Sequence, residues 1–198
     1  METIPLLGFL TVIDHSRAGF IGGLLVLNPV GRPVEFHCTQ PLKPNRAQEI
    51  LFGNTLEPYL FGEQIAQALV HKTNQHIGFL FTELPGVLAL QDFVKQPVIY
   101  VPQLNSESDE ISNQWESEEN ADLFSLSTRR YQSLRSVPGL SVSRWKETRI
   151  ANFPLWIPDD RGEEISTISE KLNDYADSIN FSEPFTRVHL ALEEAQKN

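Results

Sequence analysis

Apolar positions along the chain fall first into short continuous runs and later into helical stripes. Residues 9–13, Phe-Leu-Thr-Val-Ile, are apolar and β-branched, which predicts a buried strand. Residues 19–27 form a second such run after a turn near Ser16–Gly19, with Gly22 and Gly23 suited to a bulge or a close backbone approach. Turn formers fill 28–33. Residues 32–39 then alternate, with Val34, Phe36 and Cys38 on one face and Glu35, His37 and Thr39 on the other. Three strands joined by tight turns predict an antiparallel meander. Pro41 and Pro44 stop the third strand, and Asn45 is placed to cap a long helical stretch. Its stripe runs through Leu56, Leu60, Ile65, Ala68 and Leu69, with a break expected near Pro58.

Residues 76–82 and 97–101 predict two further buried strands, and 84–90 a short helix between them. The order β-β-β-α-β-α-β points to an α/β protein with a mixed sheet. Leu10, Val12, Leu24, Val26, Phe79, Phe81 and Ile99 are expected in one core. Residues 140–145 and 150–157 read as further strands, the second demoted to an edge by Pro154. The last forty residues carry helical stripes through Ile165, Ile168, Leu172 and Tyr175, then Phe185, Val188, Leu192 and Ala195. Ser182, Glu183 and Pro184 mark the start of the second helix. No internal repeat is visible.

Charge divides the chain further. The 198 residues carry a formal charge of −10. That balance argues against a whole-surface grip on nucleic acid or an anionic membrane, and it leaves room for a local basic site. Residues 107–122 hold seven acids and no base, while 129–149 hold six bases against Glu147. The expected organisation is therefore an α/β core over 1–104, an acidic mobile loop over 105–128, and a basic segment with C-terminal helices over 129–198 that completes the same domain. With 40% hydrophobic residues the chain can build a packed core. The single cysteine, Cys38, excludes an internal disulfide and any multi-cysteine zinc site. The N-terminus lacks the basic stretch of a signal peptide, and no apolar run reaches the roughly 18 residues of a membrane span. A cytoplasmic protein with no membrane contact is expected.

The chain has no P-loop, no Gly-rich dinucleotide fingerprint, no GxSxG elbow and no HExxH pair. Three carboxylates sit where chemistry is possible: Asp14 after the first strand, Glu49 early in the long helix, and Glu83 directly after the fourth strand. With the β-β-β-α-β order, this placement over residues 7–101 resembles the ribonuclease H-like superfamily. The stretch 39–49, with Thr39 and Asn45-Arg46 ahead of a helix acid, is similar to that family, although Gln48 occupies the position where the acid is expected and Glu49 follows it. Glu83 stands where the family more often has Asp, and Asp174 and Asp177 are the candidates for a fourth acid.

The resemblance implies a central first strand paired with the fourth. It also implies Asp14, Glu49 and Glu83 as catalytic metal ligands for Mg²⁺ or Mn²⁺, because clustered carboxylates repel unless a cation joins them. Such ions would activate water and stabilise the leaving oxygen of a phosphodiester. Arg129, Arg130, Arg144, Lys146 and Arg149 would hold nucleic-acid phosphates.

A second reading stands beside the nuclease: a non-catalytic protein–protein adaptor of roadblock or profilin-like type. In that reading the acidic 107–122 loop, with Trp115 as an anchor, would meet a protein partner. Trp145 and Trp156 read as packing residues, Cys38 as a small core residue and His15 as a surface residue. The two readings divide on whether the three carboxylates converge.

Overall fold

The computed structural model describes residues 5–15, 18–102, 145–150, 153–159, 165–176 and 179–197. The expected acidic loop over 105–128, Trp115, Arg129, Arg130, Arg144 and Asp177 lie outside the described residues.

Among these residues seven strands form one sheet in the order β3-β2-β1-β4-β5-β7-β6. The strands are β1 (Leu6–His15), β2 (Gly19–Leu27), β3 (Pro33–Cys38), β4 (Ile77–Thr82), β5 (Val98–Tyr100), β6 (Trp145–Ile150) and β7 (Phe153–Pro158). The β1-β2-β3 meander is antiparallel, as the turn formers predict. β1 is central and pairs in parallel with β4, which pairs in parallel with β5. The β6–β7 hairpin joins β5 antiparallel. Pro154 does not put β7 at an edge. β5 is short and meets β7 only at Tyr100–Trp156, so Pro154 interrupts no ladder on that side.

Between β3 and β4 the chain passes through α1 (Arg46–Phe52), a 3₁₀ turn, α2 (Leu56–Pro58), a π-helical stretch (Tyr59–Ala66) and α3 (Gln67–Lys72). The break expected near Pro58 is therefore present. Asn45 caps α1 through a reciprocal box: its Oδ1 accepts from the Gln48 N–H at 2.9 Å, and Gln48 Oε1 accepts from the Asn45 N–H at 2.9 Å. A 3₁₀ helix (Pro85–Asp92) joins β4 to β5, and α4 (Ile165–Ala176) and α5 (Glu183–Ala195) complete the chain. The start of α5 is held by Asn180, whose Oδ1 accepts from the Ser182 N–H at 2.9 Å, and the Ser182 hydroxyl makes no cap.

All seven residues expected in one core are buried, but the sheet separates them into two layers. Phe79, Phe81 and Ile99 pack with Phe9, Phe185 and Leu192 beneath α4 and α5. Leu10, Val12, Leu24 and Val26 pack with Leu60, Ile65 and Leu69 beneath the π-helical side. A sheet covered on both faces needs strands apolar at every position, hence the continuous runs. Gly22 and Gly23 let the layers close. A Cβ on Gly22 would lie 2.1 Å from Ile65 Cγ2, and one on Gly23 would lie 2.6 Å from Val188 Cγ1 on the other face. Both are close approaches rather than bulges.

β3 lies at the sheet edge, which leaves Val34, Phe36 and Cys38 exposed and corrects the expectation of a core cysteine. On its other face Glu35 accepts hydrogen bonds from Thr73 Oγ1 at 2.6 Å and Gln75 Nε2 at 3.0 Å, and it pairs with His37 Nε2 at 3.0 Å. The Thr73 bond first, then those of His37 and Gln75, draw the Glu35 carboxyl down to about 2.

Candidate functional site

Strand parity decides which polar groups meet at the carboxyl ends of β1 and β4. Phe9 and Ile13 pack on the α5 side, so Thr11 between them faces α5. Leu10 and Val12 pack on the π-helical side. On β4, Phe81 faces α5, and Glu83 two residues on shares that direction. The parallel register pairs Leu10 with Thr82, so the next residues, Thr11 and Glu83, stand side by side.

Thr11 Oγ1 donates to Glu83 Oε1 at 2.8 Å, and both residues are buried. His189 on α5 closes the group, with its Nε2 on the same carboxylate oxygen. When Glu83 is ionised it can only accept, and the Nε2 facing it is then the donor. The Glu83 side chain is 4% exposed and that of His189 is 37% exposed, so the pair runs from the interior to the surface. A buried carboxylate requires such partners, because an uncompensated charge there costs several kcal/mol. Chemically the unit holds α5 against the ends of two parallel strands and exposes part of an imidazole.

Asp14 does not join this group. It lies three residues beyond Thr11, about 10 Å along the strand at 3.3 Å per residue. It also has the parity of Val12 and stands opposite Phe20, which packs on the π-helical side. Glu49 is exposed on α1, a helix with no buried residue, and pairs with Arg46 at 3.0 Å. Among the described residues no group of three or more His, Cys, Asp and Glu side chains is placed to hold a metal ion. Glu83 thus meets a threonine and a histidine, and the structure does not gather Asp14, Glu49 and Glu83.

The basic segment is described only in part. Lys146 and Arg149 are exposed on β6, three residues apart and so on opposite faces of the hairpin. Lys146 pairs with Asp159. Trp145 is a packing residue, as expected: it is buried and its Nε1 donates to Val98 O at 3.1 Å. No helix among the described residues is long and apolar enough to cross a membrane.

Sequence reasoning missed Thr11 and His189. Thr11 is the one polar residue inside the apolar run 6–13, and a buried hydroxyl needs a partner. His189 follows Val188 on a helix that also carries Phe185 and Leu192 inward, which puts its imidazole at the border of the apolar stripe.

No family model and no curated protein matches the chain. Solved structures of endonuclease V are similar to it at low identity. Human endonuclease V is 14% identical, covering 98% of this chain and 85% of that one, with a TM-score of 0.46. Endonuclease V of Ciona intestinalis, solved with an inosine-containing 23-mer DNA, is 12% identical, covering 88% and 78%, with a TM-score of 0.42.

Proposed function

We propose that this chain is a ribonuclease H-like domain that works as a protein-binding module, not as a metal-dependent nuclease. The ribonuclease H-like part rests on the meander with a central β1 paired to β4. The observation that carries the function is the position of Glu83. Its neighbour on β1 is the neutral Thr11, its carboxylate is held by Thr11 and His189, and Asp14 has the opposite strand parity. A hard divalent cation takes several oxygen ligands at about 2.0–2.6 Å, commonly from more than one carboxylate. Among the described residues, the threonine and histidine beside Glu83 do not form a donor set that fits Mg²⁺ or Mn²⁺.

Binding is supported by what the surface leaves uncovered. Ile50 and Leu51 on α1 are 66% and 82% exposed, and Phe36 and Val34 are exposed on β3. Ile50 and Leu51 are neighbours on α1, and Phe36 and Val34 share one face of an edge strand, so each is a pair of adjacent exposed apolar residues open to a partner.

Incubation of the full chain with single- and double-stranded DNA and RNA in Mn²⁺ or Mg²⁺ tests the reading. The expected result is no hydrolysis above buffer, with Asp14→Asn indistinguishable from the parent. Metal-dependent cleavage that Asp14→Asn abolishes would restore the nuclease and its Asp14, Glu49, Glu83 site.

A further inference from the structure

The outer edge of β3 combines three features. First, among the described residues its outer main chain has no pairing strand. The Thr39 N–H donates to Gly22 O at 3.0 Å, so by alternation His37 and Glu35 turn their backbone groups toward β2, while Phe36 and Cys38 turn theirs outward. β3 ends the sheet, and no described strand pairs with that side. Second, the side chains beside these outward groups are uncovered. Phe36 pairs with Leu25, and Cys38 with Gly23, on the face where α5 covers β1 and β2. α5 does not extend over β3, and Phe36 and Cys38 remain exposed. Third, the strand contains no lysine. Its edge protection consists of Pro33, with a register shift beside it, and the Glu35 carboxylate, which is turned back onto Thr73 and Gln75.

We infer that β3 pairs antiparallel with β3 of a second copy of this chain, about a two-fold axis at Phe36, so that two seven-stranded sheets become continuous.

Polar side-chain complementarity selects this register. With Phe36 opposite Phe36 of the partner subunit, Glu35 stands opposite His37 of the partner subunit, and the pair repeats by symmetry. One face of the junction is then apolar, with Phe36 on the axis and Cys38 opposite Val34 of the partner subunit. The other carries alternating carboxylate and imidazole groups, which can hydrogen-bond across the junction. Moving the axis to His37 would oppose the two imidazoles and place Glu35 opposite Thr39 of the partner subunit instead of an imidazole. The surface shares Phe36 and Val34 with the proposed binding module and so rests on that reading, while the hydrolysis test at Asp14 decides the nuclease question separately.

Sedimentation of the full chain over a dilution series should show a species of twice the 22.5 kDa chain mass that dissociates on dilution. Phe36→Lys, which opposes two cations on the axis, should sediment as a monomer with an unchanged circular dichroism spectrum. Register is read by oxidation. Hydrogen-bonded antiparallel residues lie about 5.5 Å apart at Cα, within the roughly 4.4–6.8 Å that a disulfide spans. Phe36→Cys in a Cys38→Ser background should therefore form a covalent dimer, whereas the parent, with Cys38 facing Val34 of the partner subunit, should not. A monomer at the highest soluble concentration would overturn the inference. So would cross-linking of the parent Cys38 as efficient as that of the Phe36→Cys variant.

Discussion

Replacing Glu83 by alanine is expected to destabilise the metal-free protein by about 2–4 kcal/mol, measured by urea unfolding. The direction separates the two accounts of this carboxylate. Beside other acids awaiting a cation, Glu83 would be repelled by its neighbours, and its loss would leave the apo protein as stable or more so. Here it accepts from the buried Thr11 hydroxyl and pairs with His189. Its removal leaves the hydroxyl unsatisfied, which costs about 1–3 kcal/mol. The contact between α5 and the end of β4 is lost as well. His189 can turn to water, which keeps the total below that of a fully buried ion pair. An unchanged or raised stability in Glu83→Ala would contradict the structural role.

Phe81→Ala should cost about 3–5 kcal/mol. Phe81 is fully buried on central β4, with ring centroids 5.0 Å from Phe9 and 5.2 Å from Phe181. Its ring joins β1, β4 and the segment leading into α5, so the cavity would open where three elements meet. Collapse of the surroundings is restricted because Phe9 is itself held edge-on by Phe185 at 5.5 Å. Denaturant unfolding should show the midpoint falling with little change in slope. A loss below about 1 kcal/mol would mean that the site relaxes freely and that this layer is not the tight core described.

The elements of the sheet were legible because local rules set them. Continuous apolar runs marked β1, β2 and β4, turn formers marked the meander, and the Gly22-Gly23 pair marked either a bulge or a close approach, of which the structure has the second. Pairing across the sheet was less accessible. The division of the core into two layers depends on which alternate residues of β1 and β4 share a face. That depends on the register shift between Leu6 and Leu7 opposite Gly78. Cys38 reads as a core residue by alternation alone, and it is exposed because β3 happens to be the edge.

The candidate site was the least legible part. Position after a strand made Asp14 and Glu83 look equivalent, although β1 runs three residues past Thr11 before reaching Asp14. Period-2 alternation then turns an odd offset to the opposite face. His189 is 106 residues from Glu83 in sequence, and only the docking of α5 on β1 and β2 brings them together. Nothing local to either residue reports that contact.

Thermal unfolding of the parent protein with and without millimolar Mn²⁺ tests the central claim most directly, because a ligand that binds only the folded state must raise the unfolding temperature. With Glu83 held by Thr11 and His189 and Asp14 on the other face, the two transitions should coincide. A saturable rise that either Asp14→Asn or Glu83→Gln removes would show that these carboxylates share a metal, and it would contradict the account.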